Sequence, residues 1–240
     1  MNVKRVIKDL LRPYKHHMPW LRTELSWTTS LTKFGLVPVT VFDIGVAFGT
    51  WELYKMYPEA HYHLIEPAKE GWPYMEKIQR YMKGRAELHF IALSDHDGMA
   101  NFAIHKDLLG SSMMTDFNDK ANVVRFDTVP MRRFDHMFPK FRTPALVKID
   151  VQGAELMVLR GMEGVIDKVA AVIVETSTLS TVKDGPEVRD IISLMSEYDF
   201  VLADVMGMLR RPLDDMTAQL DLLFIPNNAG QRRNRQWFAV

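Results

Sequence analysis

The chain has 240 residues, of which 47% are hydrophobic and 25% charged, a composition typical of a globular protein with a full hydrophobic core. Its 30 Lys and Arg residues balance 30 Asp and Glu residues, and this zero formal net charge argues against a protein that coats bulk nucleic acid. The absence of cysteine excludes disulfides, zinc–thiolate sites, iron–sulfur clusters and cysteine nucleophiles.

Residues 1–36 are predicted to form a helical extension with breaks at Pro13 and Pro19. Basic residues dominate 1–22, where Asp9 is the only acid. Such a segment is able to contact anionic lipid at a membrane surface, RNA or a partner protein, and we interpret it as a solvated helical cap. Neither a signal-peptide pattern nor a run of ~18 apolar residues is present, so we expect a cytoplasmic protein without a membrane span.

From residue 39 onward, short apolar runs alternate with segments of helical character. Strands are predicted at 39–45, 61–67, 86–94, 99–106, 122–130, 146–150, 169–175, 200–206 and 220–226. Helices are predicted at 50–57, 69–82, from Gly153 onward and at 186–198. Alternation of this kind indicates parallel βαβ units, and therefore an α/β fold with a doubly wound, mostly parallel sheet. We expect this domain to span residues 37–228, followed by a basic tail at 229–240.

The first predicted strand ends in a glycine turn, where an open α/β sheet binds its ligand. Gly45 permits a tight turn close to a ligand, Ala47 lies within the turn, and Gly49 stands where the next helix begins. Asp43 precedes the turn, and Glu66 ends the second strand, the position of a carboxylate that binds the two hydroxyls of an adenosine ribose. We predict that all five residues bind a cofactor.

The turn favours S-adenosylmethionine over a dinucleotide. A dinucleotide site has the pattern G-x-G-x-x-G, with backbone N–H groups facing a pyrophosphate. Here Ala47 replaces the second glycine, and Asp43 places an acid before the turn. An acid is unfavourable beside pyrophosphate and suits the ammonium of S-adenosylmethionine, which has no phosphate. A Tyr-x-x-x-Lys pair, which would favour an NAD-dependent enzyme, cannot be read in the sequence.

Residues 147–162, VKIDVQGAELMVLRGM, resemble the signature of the FkbM family of S-adenosylmethionine-dependent methyltransferases, roughly K-I-D-x-E-G-A-E-x-x-V-L-x-G. The segments VFDIGVAFGT, LIEP, ALSDHDG and VIVE extend the resemblance to about residues 32–226. The resemblance implies a Rossmann-like class I methyltransferase with a seven-stranded sheet and a small β insertion. It also implies O-methylation of a sugar, glycan or natural product, so we expect a small-molecule or glycan acceptor.

Two alternatives stay open at this point. The first is an NAD-dependent oxidoreductase or epimerase on the same fold. The second is a methyltransferase-like binding module without catalytic activity, for which a broken cofactor turn would be expected. The intact turn around Gly45 and Gly49 counts against the second alternative.

The end of the third predicted strand is where the adenine ring is expected. We predict that Leu93 and Ser94 line the adenine site and that Asp95 reaches the exocyclic amine.

Three residues are predicted to act on the acceptor. Asp150 and Glu175 each end a buried strand, so both are expected to face the transferred methyl group and to orient or deprotonate a hydroxyl. His105, directly before a polar loop at 107–120, is the histidine that we assign as a general base.

Metal ligands are not expected in this site. The family usually has Glu where this chain has Gln152, and a charge is therefore lost beside Asp150. We predict that a divalent metal is not required. His61 and His63 alternate along a strand and share a face, as a metal pair would, and we interpret them as ordinary strand histidines.

Overall fold

The computed structural model describes residues 25–106, 108–114, 122–180, 182–233 and 235. The basic segment at 1–22, most of the C-terminal tail and the second half of the loop at 107–120 lie outside the described residues. Predictions about those segments therefore stay predictions. Within the described residues, no helix is both long enough and apolar enough to cross a membrane.

The strands agree closely with the predicted ones. They are β1 (Thr40–Ile44), β2 (His61–Ile65), β3 (Ala86–His89), β4 (Ala92–Ser94), β5 (Gly98–His105), β6 (Val123–Arg133), β7 (Ala145–Ile149), β8 (Val169–Ser177), β9 (Phe200–Arg210) and β10 (Thr217–Pro226). The helices are α1 (Trp27–Lys33), α2 (Trp51–Met56), α3 (Trp72–Tyr81), α4 (Phe134–Met137), α5 (Glu155–Arg160) and α6 (Val188–Glu197). Short 3₁₀ turns lie at Lys69–Gly71, Ile166–Lys168 and Gly230–Arg232.

Seven strands form one sheet in the order β3-β2-β1-β7-β8-β10-β9. The pairs from β3 to β8 are parallel, and β10 runs antiparallel to both β8 and β9. This order confirms the predicted Rossmann-like, doubly wound and mostly parallel seven-stranded sheet. The strands β4, β6 and β5 form a separate three-stranded sheet, which is the predicted β insertion.

One predicted strand is wrong. The run 86–94 was expected to be continuous, but β3 ends at His89 and β4 begins at Ala92. The break occurs because the two halves have different partners: β3 pairs with β2 at the edge of the large sheet, while β4 pairs with β6. All three residues of β4 are buried, and the carbonyl oxygen of Ser94 packs against Gly161 at the end of α5.

Hydrophobic clusters cover both faces of the large sheet. Every residue of β1 and β7 is buried, as expected for central parallel strands that have helices on both sides. One cluster includes Phe42 and Phe134, and the other includes Tyr54, Tyr62 and Leu31 of α1. Because β1, β2, β7 and β8 run parallel, they end at the same edge of the sheet. Their last residues and the loops that follow them meet there.

Candidate active site

The turn after β1 is held against the loop after β7. Gly45 has a φ of 78°, in the left-handed region, and Ala47 has a φ of 43°. A Cβ added to Gly45 would lie 1.7 Å from the carbonyl oxygen of Asp150. The turn therefore requires glycine here because a peptide bond of the chain itself occupies the space of a side chain.

Asp43 lies inside the protein next to the glycine turn. Its side chain is fully buried, because β1 is central and covered on both faces. Its carboxylate accepts hydrogen bonds from the hydroxyl of Tyr54 and from Thr50 Oγ1, 3.2 Å away, and its Oδ1 lies 3.3 Å from Lys148 Nζ. Asp43 thus stabilises the turn from inside the protein, and its contact with the cofactor stays a prediction.

Lys148 joins the turn to the strand ends. Its buried ammonium donates to the carbonyl oxygen of Gly45 at 2.7 Å and lies 3.4 Å from Asp150 Oδ2. Burial opposes its charge, but the carboxylates of Asp150 and Asp43 outweigh burial and raise the pKa of Lys148 above its usual value. The result is a buried cation between two acids.

An apolar cavity lies beside the glycine turn. Gly45, Ala47, Glu66 and Asp150 contribute to its wall. The apolar part of its wall consists mainly of Ile44, Ile65, Ile91, Leu93, Phe102, Leu108 and Met113.

Glu66 lies in the wall of this cavity, as predicted for a ribose ligand. Its Oε2 accepts a hydrogen bond from the backbone N–H of Ala47, and its Oε1 accepts one from Ala68, both at 2.9 Å. Burial raises the pKa of Glu66, although these two donors lower it in part. Each carboxylate oxygen has a second lone pair, so the two hydrogen bonds orient the group and leave it able to accept hydroxyl donors.

The predicted adenine residues lie in different places. Leu93 lines the apolar cavity together with Ile91 and Ala92. Ser94 and Asp95 do not line it: Ser94 is fully buried, and Asp95 Oδ1 accepts from Ser94 Oγ at 3.3 Å and contacts a ring nitrogen of His96 at 2.6 Å. These two residues lie outside the wall of the apolar cavity because β4 pairs with β6 of the small sheet, and their contact with adenine stays a prediction.

A second, polar cavity of about 690 Å³ adjoins the first, and Gln152 lines both. Glu175, Glu155 and His105 line the polar cavity, together with Ser112, Ser177, Ser180 and Gln219. Two of the three residues that were predicted to act on the acceptor, Glu175 and His105, therefore share one cavity. The third, Asp150, lines the apolar cavity and also an open cleft that contains Thr50 and Glu175.

Gln152 links the two carboxylates. Its Nε2 donates to Asp150 Oδ1 at 2.7 Å and to Glu175 Oε1 at 3.0 Å. Glu175 Oε1 also accepts from Gln219 Nε2 at 3.0 Å. Burial, and next the charges of Asp150 and Asp221, raise the pKa of Glu175 to about 8. A carboxylate of this basicity is suited to taking a proton near neutral pH.

Glu155 has a structural partner. Its Oε1 accepts the backbone N–H of Gly153 at 2.9 Å at the start of α5. Burial raises the pKa of Glu155 to about 7. This hydrogen bond fixes the loop that carries Gln152.

Two further residues of the polar cavity, Gln219 and Ser112, are not among the predicted site residues. Gln219 reaches Glu175 because β10 runs antiparallel to β8, a pairing that no local pattern reveals. Ser112 donates from Oγ to the carbonyl oxygen of Gln152 at 2.7 Å and accepts from the N–H of Met114 at 2.9 Å. Ser112 therefore connects the loop that follows β5 to the loop that follows β7.

Comparison with known proteins gives a family match. A family model described as the methyltransferase FkbM domain matches residues 43–202. No curated protein sequence matches the chain.

Several solved structures are similar at low identity. One is the 1,6-didemethyltoxoflavin-N1-methyltransferase of Burkholderia thailandensis with bound 1,6-didemethyltoxoflavin and S-adenosylhomocysteine (TM-score 0.48, 9% identity, 93% of this chain and 89% of that chain). A second is magnesium protoporphyrin IX methyltransferase of Synechocystis with bound S-adenosylmethionine (0.45, 12%, 91% and 96%). A third is TrmK of M. capricolum with S-adenosylhomocysteine (0.47, 9%, 85% and 70%).

Proposed function

Because the chain belongs to the FkbM family of methyltransferases, we propose that it transfers the methyl group of S-adenosylmethionine to a hydroxyl oxygen of a small-molecule or glycan acceptor. The class of enzyme, a methyltransferase dependent on S-adenosylmethionine, follows from the family and agrees with the resemblance seen in the signature at 147–162. The hydroxyl acceptor is our proposal. The observation that carries it is a polar cavity, with a carboxylate of raised pKa, directly beside the apolar one.

The residues of the apolar cavity fit an adenosine. Its wall of Ile65, Ile91 and Leu93 suits a flat heterocycle, and Glu66 at the end of β2 offers carboxylate oxygens to the ribose hydroxyls. The open cleft lined by Gly49, Thr50 and Asp150 adjoins this cavity and suits the methionyl part. Glu52 also lines that cleft, so it is a better partner for the ammonium than the enclosed Asp43.

The polar cavity supplies groups for a hydroxyl acceptor. S-adenosylmethionine supplies a methyl group on a positively charged sulfur, and attack on it gains mainly from positioning and from exclusion of water. We assign Glu175 as the group that accepts the hydroxyl proton, while the amides of Gln152 and Gln219 hold its carboxylate in place. The negative charge of Asp150 favours a cationic donor at the strand ends. His105 lines the same cavity and is the second candidate base.

The position of Gln152 supports a reaction without a metal. Its amide donates to both Asp150 and Glu175, at 2.7 and 3.0 Å, where a divalent cation would otherwise balance two carboxylates. A neutral donor reduces the repulsion between them without a metal ion. This agrees with the expectation from the sequence that the reaction does not require one.

The proposal is tested by incubating the purified full chain with methyl-labelled donor and acceptors that carry hydroxyl, amine or carboxyl groups. We expect label on hydroxyl oxygens only, and product analysis by NMR identifies the atom. Label on nitrogen, carbon or carboxylate instead would refute the O-methylation. Binding of S-adenosylhomocysteine without turnover on any acceptor class would favour the binding module.

A further inference from the structure

Three histidines and one glutamate form a cluster on one face of β2 and β3. His61 and His63 are two residues apart on β2, and Glu87 and His89 are two residues apart on β3, so each pair shares a face. The parallel register pairs His63 with Glu87. None of the four lines the cavities described above.

The potential ligand atoms are already close together. His61 Nε2 lies 2.9 Å from Glu87 Oε1, His63 Nδ1 lies 3.7 Å from Glu87 Oε2, and His63 Nδ1 lies 3.1 Å from His89 Nε2. In a tetrahedral zinc site with metal–ligand bonds of about 2.0–2.1 Å, neighbouring ligand atoms are roughly 3.3 Å apart. The observed distances lie near that value, and the ligand atoms of His61, His63 and Glu87 all lie within 4.8 Å of one another.

The surroundings hold the central imidazole in place and leave a path for an ion. The ring of His63 stacks on Phe42, with centroids 4.7 Å apart, and lies 4.9 Å from the ring of Phe138. The side chains of Glu87 and His61 are 57% and 34% exposed, which gives an ion access from solvent.

We propose that this cluster is a zinc-binding site, with His61 Nε2, His63 Nδ1 and a carboxylate oxygen of Glu87 as ligands, and with His89, 3.1 Å from His63 Nδ1, as the neighbour that orients His63. Imidazole nitrogens with one carboxylate suit a first-row divalent ion such as Zn²⁺, whereas Mg²⁺ and Ca²⁺ take oxygen ligands. The pair of histidines on β2, interpreted above as ordinary strand histidines, gains this role from the two residues that the parallel pairing places beside it.

A bound ion would attach the edge strand β3 to β2 through side chains. The backbone carbonyl of His89 also accepts the N–H of Glu66 at 3.0 Å, and the chain after His89 continues into Ile91 and Leu93 of the apolar cavity. The zinc site is thus structural, steadying the strand that leads into this cavity wall. It is independent of the proposed transfer to a hydroxyl.

The test uses the untagged full chain, freed of metal with EDTA and titrated with ZnCl₂ by calorimetry. We expect one Zn²⁺ per chain, a rise in Tm on addition of zinc, and a visible spectrum typical of tetrahedral coordination when Co²⁺ replaces zinc. Glu87→Gln and His61→Asn change exposed side chains, and each should weaken zinc binding by at least about tenfold.

Three matched controls accompany these variants. His96→Asn and His136→Asn remove exposed histidines that contact carboxylates elsewhere, and the double change of His16 and His17 to Asn removes a pair outside the described residues. All three should bind zinc like the parent chain. Absence of stoichiometric binding in the parent, or unchanged binding in both Glu87→Gln and His61→Asn, would overturn the proposal.

Discussion

The side-chain amide of Gln152 donates a hydrogen bond to the carboxylate of Glu175 across 3.0 Å. Gln152 has a φ of 54°, which is uncommon for a residue with a side chain. The same amide also donates to Asp150, so two hydrogen bonds to carboxylates accompany this conformation. This neutral donor stands where relatives, according to the signature, usually have glutamate.

Restoring that glutamate should impair catalysis at neutral pH. In Gln152→Glu, a third carboxylate replaces a donor, so the pKa of Glu175 rises further and less of it is ionised at pH 7. We expect the rate at pH 7 to fall by about tenfold for each pKa unit gained. The pH dependence of kcat/KM checks this, with Gln152→Met as the control that removes the donor without adding charge. Activation of Gln152→Glu by Mn²⁺ alone would instead indicate that the family residue forms a metal site.

Cofactor binding should depend on Glu66. Replacing it with Gln removes the charge that faces the ribose hydroxyls, and we expect a loss of about 1.5–3 kcal/mol in the binding free energy of S-adenosylhomocysteine. Calorimetric titration measures this loss, and circular dichroism checks that the variant is folded. Asp95→Asn is the matched control: its side chain contacts His96 and does not line the cavity, so its affinity should be unchanged. Equal affinities in the parent and Glu66→Gln would exclude Glu66 from the site.

Turnover should depend on the two carboxylates that Gln152 joins. We expect Asp150→Asn and Glu175→Gln to lower kcat by about 10²–10⁴-fold, while cofactor affinity changes by less than about tenfold. The parent should lose activity below about pH 8, where Glu175 becomes protonated, and Glu175→Gln should lack this inflection. His105→Asn, assayed in parallel, decides between the two candidate bases. Full activity in both carboxylate variants would leave positioning and exclusion of water as the mechanism.

The contribution of Glu175 to stability should fall as the pH rises. The pKa of Glu175 is about 8 in the folded chain and 4.5 when unperturbed, so between these values the folded state binds more protons at this group than the unfolded state. From this group alone, the free energy of unfolding therefore decreases between pH 4.5 and 8, by at most about 1.4 kcal/mol per pH unit, whereas His63, whose pKa burial lowers to about 4, contributes the opposite slope up to about pH 6.5. Urea denaturation at several pH values measures the slope. Glu155, with a pKa of about 7, adds a slope of the same sign, so the comparison with Glu175→Gln isolates the part that Glu175 contributes.

Lys148 should be important for folding. Lys148→Met leaves the enclosed Asp43 without its cation, and breaking a buried pair in this way costs about 3–5 kcal/mol. Asp43→Asn in the same background should recover part of the loss, because the uncompensated charge is gone. Chemical denaturation of the parent, both single variants and the double variant gives the interaction energy. Additive losses would mean that the two side chains stabilise the chain independently.

The sequence predicted the sheet well because its central strands are buried on both faces and read as continuous apolar runs. The signature at 147–162 also led to the correct family. Local patterns failed where the pairing partner determines the strand boundaries. Residues 86–94 read as one continuous apolar run, but their two halves pair with strands of two different sheets. For a related reason the sequence did not reveal that Asp43 is enclosed, since a residue at a strand end looks the same in sequence whether its side chain faces a ligand or the core.

The polar cavity and the histidine cluster on β2 and β3 both depend on pairings between distant segments. Gln219 meets Glu175 through the antiparallel β10, and His61 meets Glu87 through the parallel β3. The sequence separation of these pairs carries no information about their contact. Charge and burial at such positions therefore become interpretable only once the strand order is known.

The contact between Gly45 and the peptide of Asp150 determines which sequences this fold tolerates. An added Cβ at Gly45 would overlap a backbone carbonyl, which cannot rotate aside as a side chain would, whereas an added Cβ at Gly230 would meet nothing within 4 Å. A library that randomises both positions and selects for folded protein should return glycine alone at 45 and a wide choice at 230. A substitution at position 45 would therefore require a simultaneous change in the backbone path of the loop after β7. The turn after β1 and the loop after β7 are thus expected to change in sequence together.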